Sequence, residues 1–184
     1  MTKNIVHFST SDLGGGSARS AYRIHRNLLK IGFNSKMLVK VKLSSDSDVQ
    51  EINNAWWLKK IDSTLEKILS TLGFQYLCYP SNFFIFFNKW YKDADIIILY
   101  NTHGGYFSHI LLRFFKKKKI FWRLSDMWPI TGHCTYSYNC SRWREDECRN
   151  CPDLSIYPSL KWDSAHLNYL IKKNVLKNTD ITFI

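Results

Sequence analysis

Four consecutive branched aliphatic residues, Ile96-Ile97-Ile98-Leu99, constrain this chain more than any other segment. A strand with one face in water alternates apolar and polar side chains, whereas an unbroken apolar run suits a strand buried on both faces. Such strands occur in parallel sheets, whose neighbours must be joined by long, usually helical crossovers. The flanking sequence supplies them. Ile5 to Phe8 is a second short apolar run, and a polar, glycine-rich turn follows from Ser9 to Gly16. Ala18 to Ile31 reads as a helix, with Ala18, Ala21, Tyr22, Leu28 and Leu29 at helical spacing and Gly32 as its stop. Lys36 to Val41 reads as the next strand, completing a strand–helix–strand unit.

The alternation continues. Ala55 to Leu72, Phe83 to Trp90, Tyr106 to Phe115 and Lys161 to Leu176 read as helices; Ile120 to Leu124 and Asp180 to Ile184 read as strands. Ser44 to Asp48 is polar and reads as a mobile loop. The fold class expected is α/β: a Rossmann-like parallel sheet with helices on both faces, forming one domain over residues 1–184. The pattern breaks from Ser125 to Ser159, which holds three of the four prolines and shows no helical period. A loop of that length inside a compact domain is usually functional.

Composition narrows the function classes. Hydrophobic residues at 45% and charged residues at 22% of 184 exclude a disordered chain. The net charge of +11 favours an anionic partner, such as nucleotide phosphate, an acidic membrane surface or nucleic acid, unless it is only a solvated basic face. The densest run, Lys116 to Lys119, falls where a helix should end. It lacks the aromatic and glycine pattern of an RNA-binding module, so no specific nucleic acid is expected. No segment approaches the ~20 apolar residues of a membrane span, and the first residues lead straight into a strand pattern. The expected location is the cytoplasm, with peripheral contact with the inner membrane face.

Three turns that follow strands could carry chemistry. Gly14, Gly15 and Gly16 let a ligand approach the backbone, and the following helix start, near Arg19, suits phosphate. The segment is neither a dinucleotide fingerprint nor a Walker loop, and a plain tight turn is the alternative. Asn101-Thr102-His103-Gly104-Gly105 places His103 on the same rim as a hydrogen-bonding or acid–base group. The stretch from Trp122 to Cys134 brings Arg123, Ser125, Asp126 and His133 there, with Trp128 to stack on a sugar. Its alternative is a rigid loop with Asp126 as a cap.

Cys134, Cys140, Cys148 and Cys151 fall within one stretch, and Cys148-Arg149-Asn150-Cys151 has the spacing with which two thiolates grip one tetrahedral ion. A closed structural zinc site is the leading reading, with His133 as a spare ligand; reduced thiols and a disulfide are the alternatives. Cys78 is remote and reads as core.

The stretches HFSTSDLGGGSARSAYRIHRNLLKIGFNSKMLV and WRLSDMWPITGHCTYSYNCSRWREDECRNCPDL resemble the family-4 glycosyltransferases of bacterial polysaccharide and lipopolysaccharide pathways. The similarity covers Ile5 to Gly32 and Asp95 to about Asp163, and its second part is the more specific. It implies a GT-B architecture of two Rossmann-like domains. The implied activity transfers a sugar from a nucleotide-sugar donor to a glycan or lipid-linked acceptor, with retention and without a catalytic metal. This chain would be the N-terminal, acceptor-side half, inactive alone, with the donor-binding domain absent from it. The resemblance places Gly15 and Gly16 near the donor diphosphate, and His103, Asp126 and His133 along the cleft. Many relatives carry histidine where this chain has Ser125. A zinc-stiffened module that binds a glycan or a membrane without chemistry is the competing reading.

Overall fold

The computed structural model describes residues 2–115 and 118–184. Lys116 and Lys117 of the basic run lie outside the described residues; Lys118 caps the carbonyls of Lys92 and Ala94, each at 2.7 Å.

The chain runs β1 (Asn4–Ser11), α1 (Gly15–Lys30), β2 (Asn34–Val41), β3 (Val49–Glu51), α2 (Trp56–Thr71), a 3-10 helix (Pro80–Phe87), α3 (Lys89–Asp93) and β4 (Ile96–Leu99). A second 3-10 helix (His109–Phe114), β5 (Lys119–Trp122), a short 3-10 turn (Trp128–Ile130), α4 (Arg142–Glu145), α5 (Ala165–Lys177) and β6 (Ile181–Phe183) complete it. All the pairings are parallel, in the order β3-β2-β1-β4-β5-β6. This is the Rossmann-like α/β sheet expected, and its strand order reverses between β1 and β4. A ligand crevice forms beyond the carboxyl ends of the strands at such a reversal.

Alternate residues of each strand serve opposite layers. Val6, Phe8, Leu38, Ile97, Leu99, Ile120 and Trp122 face a large aromatic core, closed by Ile85, Tyr91, Phe107, Leu112, Phe115 and Val175. On the other face Met37, Val39 and Tyr100 meet Ala21 of α1, with Val49 of β3 beside them. Helical elements thus cover both faces. Gly32, at φ +90°, ends α1 in the left-handed turn that L side chains resist, and the amides of Gly32 and Phe33 bond back to Leu29 and Leu28 at 3.1 and 3.0 Å.

Several local expectations are corrected. Tyr106 to Phe115 and Phe83 to Trp90 are not regular α-helices. Both pack against the sheet mainly as 3-10 turns, and only Lys89–Asp93 is α-helical. Ser44 to Asp48 is not a free loop. Asp12, fully buried, accepts the amides of Leu43 and Ser44, both at 2.8 Å, and Asp46 accepts from Tyr22 and Arg26 at 2.9 and 3.0 Å. Cys78 is half-buried and belongs to none of the core clusters.

Candidate functional site

The turns after β1, β4 and β5 meet at one rim of the sheet. Ser17, in the first turn of α1, puts its Oγ 2.9 Å from Asn101 Oδ1 and 2.9 Å from Ser125 Oγ. Arg123 Nη1 donates to the same Ser125 hydroxyl at 3.2 Å. Gly14 to Gly16 are exposed beside this knot, and a Cβ on Gly15 or Gly16 would meet no atom within 4 Å. The chain's own packing therefore does not demand glycine at position 16, and the space above the turn is open. Arg19 is exposed and turns its guanidinium back to the carbonyl of Leu13 at 3.2 Å.

Next to the knot, His103 Nε2 lies 2.9 Å from Asp126 Oδ2. Gly104 and Gly105, at φ +98° and +74°, bend the chain back directly after the histidine. Asp126 also accepts the Trp128 amide at 2.9 Å through Oδ1, so it is both a local cap and a partner for the imidazole. Among the described residues His103 Nδ1 is buried and has no hydrogen-bond partner. With Nε2–H donated to the carboxylate, Nδ1 remains an acceptor.

Two expected site residues lie elsewhere. Trp128 cannot stack on a sugar: it is fully buried, its indole N–H donates to Gln75 Oε1 at 3.2 Å, and the Lys172 ammonium sits 4.1 Å from its ring centre. The exposed aromatic at the rim is Tyr157, 5.8 Å from the His103 ring. His133 is buried within the cysteine-rich loop, with Nδ1 on the Pro158 carbonyl at 3.0 Å and Nε2 3.3 Å from Cys151 Sγ.

A cavity of about 350 Å³ adjoins the rim, bounded by Lys40, Asp62, Glu66, Tyr79, Gly105 and Tyr106. Burial pushes the Glu66 carboxyl above its usual range, although the Tyr79 hydroxyl donates to it at 2.5 Å. Lys40 Nζ donates to the Gly104 carbonyl at 2.6 Å, joining this cavity to the His103 turn. Apart from Gly105, these residues escaped the sequence pattern because they come from four separate stretches: β2, α2, the residue ahead of the first 3-10 helix and the turn after β4. The one signal available was Lys40, a charge at the carboxyl end of a buried strand.

In the cysteine-rich loop all the thiols are free. Burial pushes the Cys148 thiol up to about 11 and raises those of Cys134 and Cys151. Among the described residues no group of three or more His, Cys, Asp or Glu side chains already stands gathered around a metal position. No helix among them is long and apolar enough to cross a membrane.

No family model matches the chain. The Escherichia coli (strain K12) protein named "Putative colanic acid biosynthesis glycosyl transferase WcaC" is 24% identical over 177 residues, covering 89% of this chain and 43% of that protein. The chain thus spans less than half the length of this curated relative.

Proposed function

We propose that this chain is the N-terminal, acceptor-side domain of a retaining GT-B glycosyltransferase. It would serve transfer of a sugar from a nucleotide-sugar to a glycan or lipid-linked acceptor. The observation that carries the reading is the rim: three strand-end turns tied at Ser17, with the His103–Asp126 pair beside an open glycine turn. The distant likeness to a glycosyl transferase over 43% of that protein's length fits a half of this kind.

In this reading the chain occupies residues 1–184 as one domain, and the donor-binding domain lies outside it. The exposed amides at Gly15 and Gly16 and the start of α1 receive the donor diphosphate, where unpaired N–H groups and the helix dipole favour negative charge. Arg19 and Arg123 add positive charge at the same rim. The acceptor occupies the cavity next to Gly105. His103, held by Asp126, accepts a hydrogen bond from an acceptor hydroxyl and orients it. Half a cleft can neither hold the donor fully nor stabilise the departing diphosphate, so the chain alone has little transferase activity.

The test is sugar transfer from nucleotide-sugars to lipid-linked acceptors. The chain should be inactive alone and should gain activity when a GT-B donor-binding domain is supplied in trans. In that complemented reaction His103→Gln should lower turnover by roughly 100–10,000-fold, the scale of one lost positioned acid–base group. Steady turnover by the isolated chain, or full activity in the His103→Gln variant, would sink the reading.

A further inference from the structure

The transferase reading leaves the cysteine-rich loop without a task. Its four clustered thiols nevertheless share one place: Cys134, Cys140, Cys148 and Cys151, together with His133, border a single enclosed cavity of about 20 Å³. That is room for one atom-sized occupant and too little for any organic ligand. The ligating residues come from both ends of the loop, so one occupant would fasten the whole excursion to the first turn of α5. Gly132 already makes that junction tight, since a Cβ there would lie 2.6 Å from the Ala165 carbonyl oxygen.

Burial raises the metal-free thiols, so this loop favours thiolates only with a cation beside them. The Gly132 amide donates to Cys148 Sγ at 3.1 Å, a bond that favours a charged sulfur. His133 is fixed by donating Nδ1–H to the Pro158 carbonyl, which supports the wall of the cavity next to Cys151. An independent observation comes from Lys172. This side chain is 4% exposed, bonds the Trp128 carbonyl at 2.6 Å and forms no salt bridge among the described residues, and burial pulls its pKa down to about 7. A buried cation is costly without a compensating negative charge. The groups near enough to act on it are Cys148, Cys134 and Asp126. As neutral thiols the cysteines offer it nothing. Four thiolates around a divalent ion carry a net charge of −2, which would add to the Asp126 carboxylate as counter-charge.

We propose that Cys134, Cys140, Cys148 and Cys151 hold one structural zinc ion, with Lys172 as its buried counter-charge. The thiols line the cavity but do not yet converge on a common point. Moving a cysteine between staggered χ1 wells shifts its sulfur by roughly 3 Å, enough to turn it inward. Each thiol gives its proton to solvent as it binds, so uptake releases up to about four protons per ion.

The experiment uses the full chain, purified without added zinc. Elemental analysis should give about one zinc per chain. The four thiols should resist a thiol reagent until a chelator removes the metal. Exchange with cobalt(II) should produce the strong visible bands of a tetrahedral thiolate site. Single Cys→Ser variants at the four positions should each lose the cobalt spectrum. His133→Gln should keep it, which separates ligation from mere loop damage. Lys172→Met should release zinc to the chelator at least about tenfold faster. Metal-free protein with thiols reactive from the start overturns the site, as does a native mass lowered by disulfide formation. An unchanged release rate in Lys172→Met removes the counter-charge.

Discussion

The two faces of the sheet are built on different physics. One is a close-packed aromatic layer, where Phe8, Phe107, Phe115 and Tyr91 lie with ring centres 5.0–6.1 Å apart. The other, under α1, carries a buried polar thread. The Tyr100 hydroxyl lies 3.0 Å from His7 Nδ1, His7 Nε2 lies 2.9 Å from Ser35 Oγ, and Ser35 Oγ lies 2.8 Å from His25 Nδ1. The first face gains stability from volume and contact, which are non-directional. The second depends on directional pairing, since an unpaired polar atom is costly; among the described residues only His25 Nε2, 3.9 Å from Asp46 Oδ2, stands outside the hydrogen-bonded thread. The same strands therefore present a tolerant surface on one side and an exacting one on the other.

The widest separation between the faces should come from Phe8→Ala, which opens a cavity in the aromatic layer and should cost about 3–5 kcal/mol in urea unfolding. A loss under ~1 kcal/mol would mean that layer is not close-packed. Ser35→Ala removes almost no volume, yet it strips a partner from both His7 and His25 and should cost about 1–3 kcal/mol. If it proved neutral, the thread would contribute nothing.

Acid should separate the faces in a third way. Burial, with His25 adding a smaller push, holds His7 down to about 3. Its folded form therefore stays neutral while the unfolded chain binds a proton below ~6.5, and stability falls with pH between those values. For this histidine the slope should approach about 1.4 kcal/mol per pH unit only below pH ~5.5, giving about 2 kcal/mol in all between pH 7 and 5, absent in His7→Gln. Urea midpoints between pH 7 and 5 check it; equal slopes for the two proteins would show that His7 already titrates in the folded state.

The aromatic layer was largely legible in the sequence, because Ile96–Leu99 and Ile5–Phe8 announce buried strands by local pattern alone. The polar thread was not. His7 and Ser35 stand 28 residues apart, and only strand pairing brings them together. The rim was partly legible for the same reason as the strands: turns that follow parallel strands share one edge, and Ser17, Asn101, His103, Ser125 and Asp126 do meet there. Trp128 escaped because its burial depends on Gln75 and Lys172, which local spacing does not reveal. The 3-10 turns at Pro80–Phe87 and His109–Phe114 carry apolar composition without a clean period, so their geometry was set by packing rather than propensity.

The thread under α1 also works as an alignment key. Side chains alternate along a strand, so sliding β2 past β1 by one residue would turn Ser35 toward the aromatic layer and present Lys36 to His7 instead. Greasy neighbours can re-mate in a shifted frame with modest loss; two imidazoles that depend on one hydroxyl cannot. The histidines thereby give the chain a way to reject misthreaded versions of its own sheet as α1, which carries His25, docks onto it.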